Sequence, residues 1–459
     1  STFSTNFSAF ETLTGGSAVD TFAFTGTATF SGTLNGGLGT DSFDFSGYGS
    51  AVTVNLQSST VPGLLIGTYA SIEGMTGSAH SDTLIGPDAG ANFNMTAAGA
   101  GNVGNAFSFS TVENLQGGTG ADTLNYSGYG TAVTLDMQNS TATGLTSFSG
   151  METVTGSPAD DTVQGAAAGS TFAMTAPGVG SVDGQAFTAF EIMTGGAGTD
   201  TLEYSSYSSA VTVNLATSTA TGITSFSAIE NFTGSTNSDT LVGPNSNSTY
   251  VIGAANWMLG AQSFTAFENL TGGAGTDTLD YSGYASAVIV DLLAGTATGI
   301  GGTVSGLENI IGSAFDDTLT GDNAANQINA FGGNDLMAGN GGDDEFIFPN
   351  GAGYRGTLDG GLGTDSADFS AHTTGLGIVI TGLGSTDGFK GTINGVAFDN
   401  LDTLTASSTA ADDAITGPNL ASIWAIHNSQ FIIHHSSFAF TVTGVENLTG
   451  GSATDTLNF

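Results

Sequence analysis

The residues best placed to do chemistry in this chain are aspartates that close glycine-rich turns. From Gly312 the sequence runs as four consecutive nonapeptides, GSAFDDTLT, GDNAANQIN, AFGGNDLMA and GNGGDDEFI. The sixth position holds Asp317, Asn326, Asp335 and Asp344, and the eighth holds Leu319, Ile328, Met337 and Phe346. Carboxylates presented at a fixed step beside backbone carbonyls are hard oxygen ligands, the kind that Ca²⁺ requires. Single turns of the same type recur at Asp41, Asp82, Asp122, Asp161, Asp200, Asp239 and Asp277. Each of these lacks an adjacent copy, so a calcium cage there needs carbonyls from an unrelated turn. The competing reading is that these aspartates cap their turns by accepting backbone N–H groups. Turn capping is preferred for the isolated copies and calcium for the tandem run.

On these residues the tandem run resembles the RTX family, the hemolysin-type calcium-binding repeats with the consensus G-G-x-G-x-D-x-U-x. The resemblance implies that the glycine-rich turn supplies carbonyls, that the sixth-position carboxylate completes the cage, and that the eighth residue enters the core. It implies pairing of nonapeptides two apart, hence Asp317 with Asp335 and Asn326 with Asp344. Two departures stand out: Asn326 replaces a carboxylate, and Phe315 and Ala324 replace the fourth-position glycine. The resemblance also implies a secreted or surface location, reached through a one-step channel of Gram-negative bacteria, with folding on meeting calcium outside the cell.

These turns are positioned by a long internal repeat. GGLGTDSFDFSGYGSAVTVNL from Gly36 returns from Gly117, Gly195 and Gly272 with a period of roughly 78 residues. A glutamate at Glu73, Glu113, Glu152, Glu191, Glu230, Glu268 and Glu308 divides it into halves of about 39 residues. Inside each half the apolar pattern alternates: Val52, Val54 and Leu56 point one way around Thr53 and Asn55, and Val211, Val213 and Leu215 repeat this. No segment has helical periodicity. The expected fold is therefore all-β, a right-handed parallel β-solenoid or β-roll with four short strands per half-repeat, in two coils feeding two facing sheets. At ~4.8 Å per coil this predicts a rod on the order of 110 Å long. We divide the chain into a repetitive solenoid over 1–311, the calcium-binding segment over 312–347 and a divergent continuation over 348–459.

Composition narrows the partners. Two basic residues, Arg355 and Lys390, face 41 acidic ones for a formal net charge of −39, which opposes binding to nucleic acid or anionic lipid. Calcium is the expected cofactor. There is no cysteine, hence no disulfide or thiolate site. No apolar run reaches the ~20 residues that cross a bilayer as a helix. Both ends fall at one point of the repeat, Glu11 to Asp20 and Glu446 to Asp455, which suggests a processed chain or a segment, and end-to-end stacking of copies.

Three function classes follow. The preferred one is a calcium-stiffened extracellular structural or adhesive protein: a surface fibre, matrix or surface-layer component whose further partners are copies of itself, glycans or cells. A polysaccharide-processing β-helix enzyme is the second, disfavoured because a lyase needs cationic groups and only Arg355 and Lys390 exist. The calcium module of a secreted toxin or protease is the third, without an H-E-x-x-H motif here. No enzymatic activity is expected. The pairs Phe45/Tyr48, Tyr126/Tyr129, Tyr204/Tyr207 and Tyr281/Tyr284 read as core or corner packing rather than a sugar-stacking stripe. His372, His427, His434 and His435 fall in the divergent part, and adjacent strand residues such as His434 and His435 point to opposite faces.

Overall fold

A computed structural model describes residues 11–349, 356–407, 412–427, 430–435 and 438–458; Arg355 lies outside them, as does the side chain of His427. The described residues form strands, turns and loops without a helix. The chain divides into two compact units, Ser1–Ser209 with Ser218–Thr236, and Ala210–Thr217 with Asn237–Phe459.

In the first unit the alternating pattern builds two parallel ladders. One stacks Thr123–Asn125 on Thr153–Thr155 and on Gln185–Thr188, in the register Leu124, Val154, Phe187. The other stacks Thr134–Asp136, Thr162–Gln164, Ile192–Thr194 and Ser225–Ser227, in the register Leu135, Val163, Met193, Phe226. All of these apolar residues are buried. The ladders face each other across a thin core, where the Phe226 ring on one meets the Phe232 ring on the other edge-on at 5.2 Å. Val52 and Val54 are buried as the alternation requires, whereas Leu56 is half-buried because its strand ends at Asn55.

One feature departs from a plain two-ladder coil. The repeats that begin at Gly36, Gly117 and Gly195 each contain a three-stranded antiparallel meander in which the chain runs forward, back and forward within one ladder. In the first unit these are Asn92–Ala97, Ala100–Val103 and Phe107–Ser110, then Thr171–Ala176, Val179–Val182 and Gln185–Thr188. The half-repeat that follows Glu152 therefore carries five strands rather than four.

The second unit uses the same parts. Its meanders include Thr249–Ile252, Trp257–Leu259 and Gln262–Thr265, and Gly377–Leu383, Phe389–Ile393 and Val396–Leu401. Between these the coil shortens. Asn309–Ile311, Gln327–Asn329 and Glu345–Ile347 stack directly, eighteen residues apart, followed by Ser366–Asp368 and Thr403–Thr405. Ile310, Ile328, Phe346, Ala367 and Leu404 form one buried column. The eighth-position residues Leu319 and Met337 pair on the other ladder and are also buried.

The tyrosine pairs pack inward. Tyr126, Tyr204 and Tyr281 are fully buried, and each hydroxyl donates to a backbone carbonyl, of Thr143, Thr221 and Thr298 respectively, at 2.7–2.9 Å. Each ring meets its partner Tyr129, Tyr207 or Tyr284 edge-on. His372 takes the place of the second tyrosine, edge-on to Phe369 at 5.3 Å.

Candidate metal centre

The turn aspartates are buried, and most of their hydrogen-bonding capacity is taken by the backbone. Asp161 shows the arrangement. Its Oδ1 accepts the N–H of Val133 on the preceding coil at 2.5 Å, and the Ser157 hydroxyl at 2.9 Å. Its Oδ2 accepts the Ser157 N–H, four residues back in its own turn. Its own N–H donates to Oε2 of Glu191 at 3.0 Å. The recurring glutamate thus has a task that its spacing alone did not disclose: it receives the N–H of the aspartate one coil earlier. The same link joins Asp41 to Glu73, Asp82 to Glu113, Asp122 to Glu152 and Asp200 to Glu230 in the first unit. In the second it joins Asp239 to Glu268 and Asp277 to Glu308.

In the tandem segment the aspartates themselves replace the glutamates. The N–H of Asp317 donates to Oδ1 of Asp335 at 2.9 Å, and that of Asn326 to Oδ1 of Asp344 at 2.8 Å. Each pair expected from the eighteen-residue step is therefore brought together. The ladder then continues beyond them: Asp344 N–H donates to Asp365 Oδ1 at 3.0 Å, and Asp365 N–H to Asp402 Oδ2 at 3.0 Å. Asp365 and Asp402 were not singled out as site residues from sequence, because the step widens past Asp344 to accommodate extra chain.

The stacked groups differ in what remains open. Asp317 is filled: Oδ2 accepts the Ser313 N–H at 2.6 Å, and Oδ1 accepts the Ser313 hydroxyl at 2.7 Å and the Val288 N–H at 2.8 Å. Asn326 is also filled, taking the Asp322 N–H on Oδ1 and donating Nδ2 to the Glu308 carbonyl. Asp82, Asp122 and Asp200 likewise receive an N–H from four residues back and another from the preceding coil. In contrast, Oδ2 of Asp41, Asp344 and Asp365 is buried with no hydrogen-bond partner.

Backbone conformation separates these two sets. Before Asp344, Asn340 and Gly342 have φ of 74° and 104°; before Asp365, Gly361 and Gly363 have 104° and 141°; before Asp41, Gly37 and Gly39 have 99° and 128°. Phe331 and Gly333 before Asp335 share the pattern at 55° and 118°. Left-handed residues four and two before the aspartate turn the fourth N–H away from the carboxylate. Where those residues stay outside this region, as at Gly118 and Gly196, the N–H reaches the oxygen.

Burial pushes Asp335 and Asp365 up to about 7 and Asp344 up to about 6, against donated N–H bonds that lower them. Neighbouring carboxylates add to the rise: Asp316 and Asp317 for Asp335, Asp322 and Asp343 for Asp344, and Asp344, Asp402 and Asp343 for Asp365. These are groups that a cation would relieve. No three carboxylate or imidazole side chains converge among the described residues, so a bound calcium ion would draw most of its ligands from backbone carbonyls, which suits its tolerance for mixed oxygen cages. His434 is exposed, and His435 turns its Nδ1 to the Ala421 carbonyl at 2.9 Å.

Comparison with known proteins agrees with this geometry. Residues 311–346 match the RTX calcium-binding nonapeptide repeat (4 copies), and residues 269–326 match the bacterial antifreeze protein repeat. Both are β-roll repeat families. The chain carries calcium-binding repeats, of a kind that occurs in secreted bacterial proteins. No curated protein matches the chain.

Proposed function

We propose that this is an extracellular structural or adhesive protein whose stacked coils are held by calcium, without enzymatic activity of its own. The observation that carries the reading is a coincidence of place. The four matched repeats fall where the coil shortens to eighteen residues and an aspartate in place of the glutamate receives the N–H of the sixth-position residue one coil earlier, Asp335 from Asp317 and Asp344 from Asn326. Burying adjacent carboxylates is unfavourable unless protons or cations accompany them. Calcium outside a cell would supply that charge, and its scarcity inside would leave the segment loose. At ~100 times its Kd, a ligand specific to the folded state adds roughly 2.7 kcal/mol per site. Partners beyond calcium, in this reading, are copies of the chain or the glycans and cells of a surface.

A calcium titration of the whole chain, followed by circular dichroism and thermal melting, tests this. Calcium at millimolar concentration should raise the melting temperature and its removal should lower it. Identical melting with and without calcium would overturn the reading.

A second reading, ice binding, is favoured by the match over 269–326 and by outward-facing Thr278 and Asn309, neighbours on one ladder, with Asn269, Thr271, Thr318 and Thr320 on strands outside that ladder. Asp280 and Ile311 interrupt the polar row on the first of these ladders, and Ile289 and Asp291 lie beside Thr318 and Thr320 on the other. Thermal hysteresis in a calcium-loaded sample would establish this second reading, and its absence would remove it.

A further inference from the structure

Where the first meander interrupts the coil, one edge of the first unit is left uncrossed. On one ladder, Phe107–Ser110 and Ala100–Val103 lie between Gly74–Thr76 and Asn92–Ala97. On the facing ladder, Thr53–Asn55 and a returning segment at Ser59 and Thr60 lie between Tyr69–Ala70 and Thr83–Ile85. Residues 71–73 and 86–91 pass from ladder to ladder along this edge, but the strands between them end in hairpin tips at residues 56–58 and 104–106. The edge therefore stays open over the height of two strands, roughly 10 Å. The opening is a cleft of about 790 Å³.

Its lining is specific to this place. Tyr69, Ile72, Val103 and Phe107 line the cleft and keep 5–7% exposure. The next repeat has the same arrangement, with Val179–Val182 and Gln185–Thr188 between Thr153–Thr155 and Thr171–Ala176. There Val182, the counterpart of Val103, is 0% exposed. Gln185 pairs with Val182 as Phe107 pairs with Val103, and its Nε2 donates to the Ala186 carbonyl at 3.2 Å. An apolar, partly open lining thus belongs to the first opening and not to the repeat as such.

We propose that this cleft binds a small organic cation with an apolar body, an aryl- or alkylammonium. Glu73 is the one charged residue in the lining. It accepts the Asp41 N–H on Oε2 at 2.8 Å, which leaves Oε1 for a ligand. Asp88, exposed between the lining residues Pro87 and Ala89, adds a second carboxylate near the mouth. No lysine or arginine lines the cleft, and the net charge of −39 disfavours an anion. Apolar walls with a few polar groups suit a small molecule, and the rings of Tyr69 and Phe107 beside a carboxylate suit a cationic one. The cleft lies within the first unit, which contains none of the matched calcium repeats, so the proposal stands apart from the calcium reading.

Calorimetric titration of the full chain with phenethylammonium chloride, in salt at about 0.15 M to screen the general surface charge, tests this. 3-Phenylpropanoate serves as the anionic probe of similar size. The ammonium should bind saturably at one site, at least tenfold tighter than the anion. Ala106 is exposed and lines the cleft, so Ala106→Trp should block binding without changing charge or melting temperature. Phe107→Gln, which installs the residue of the next repeat, should weaken binding at least tenfold. Glu73→Gln keeps an acceptor for the Asp41 N–H and should bring the affinities for the two probes together. Wild-type affinity in Ala106→Trp would assign the heat to the acidic surface and overturn the site. Equal affinity of the wild type for both probes would overturn the ligand class, and no saturable heat with either would overturn the proposal outright.

Discussion

A buried aspartate is tolerated when donors surround it, and Asp161 is surrounded. Its carboxylate receives two backbone N–H groups and one hydroxyl, so its role is to satisfy amides that the turn would otherwise strand. Asp161→Ala leaves the Val133 and Ser157 N–H groups buried without acceptors, at about 1–3 kcal/mol for each. The expected loss is about 3 kcal/mol in urea denaturation, equal in calcium and in chelator. A loss that vanishes when calcium is withdrawn would show the residue to be a ligand instead of a cap. The distinction was only partly legible beforehand. Capping at isolated turns follows from Asx chemistry, and the eighteen-residue step correctly brings Asp317 to Asp335 and Asn326 to Asp344. Which carboxylates stay open was not legible, because the hexapeptide GGAGTD occurs at 195–200 and at 272–277 in two conformations. Gly273 and Gly275 have φ of 137° and 131°, whereas Gly196 instead turns its N–H onto Asp200. Glycine permits either state, and the neighbouring coil decides.

Among the elements, the strands were readable and their order was not. Alternation identifies a buried face but is the same for a strand that runs forward or back, so the meanders were missed. Their turns carried a usable signal: Asp183-Gly184 and Asn394-Gly395 have φ of 49° and 93°, and 51° and 85°, the dipeptides and left-handed pairs that close two-residue hairpins. The glutamates hide a second regularity. The residue two positions before each is left-handed, at Ser71, Thr111, Gly150, Ala189, Ala228, Ala266 and Gly306. This directs its carbonyl at the first glycine of the preceding turn, as Ala228 does to Gly195. For a residue with a Cβ this conformation costs roughly 1–2 kcal/mol. Ala189→Gly and Ala228→Gly should therefore each stabilise the fold by about 1 kcal/mol, as Gly150 and Gly306 already do at their positions. Thermal melting checks this; a fall in melting temperature for both would mean that the unfolded chain's added freedom outweighs the relieved strain.

For the whole molecule, charge sets the conditions of stability. A net charge of −39 repels itself, and part of that charge is buried at Asp335, Asp344 and Asp365, whose carboxyls are raised to about 7, 6 and 7. A carboxyl raised in the folded chain binds its proton more tightly folded than unfolded. Its stabilising contribution is complete below the ordinary value near 4 and is lost as pH rises through about 6 to 7. The calcium-free chain should consequently melt at a higher temperature at pH 5 than at pH 8. Calcium acts in the opposite sense, because it binds the ionised carboxylates: its stabilising effect should be large at pH 8 and small at pH 5, where protons compete for the same oxygens. Surface repulsion also grows with pH, but salt at about 0.5 M screens exposed charges far more than buried ones. Calorimetric melting at both pH values, calcium-free and in high salt, separates the two. A pH effect that persists in salt and is erased by calcium is expected from the buried ladder; one that salt alone erases would assign the effect to the surface and leave the ladder without a role in it.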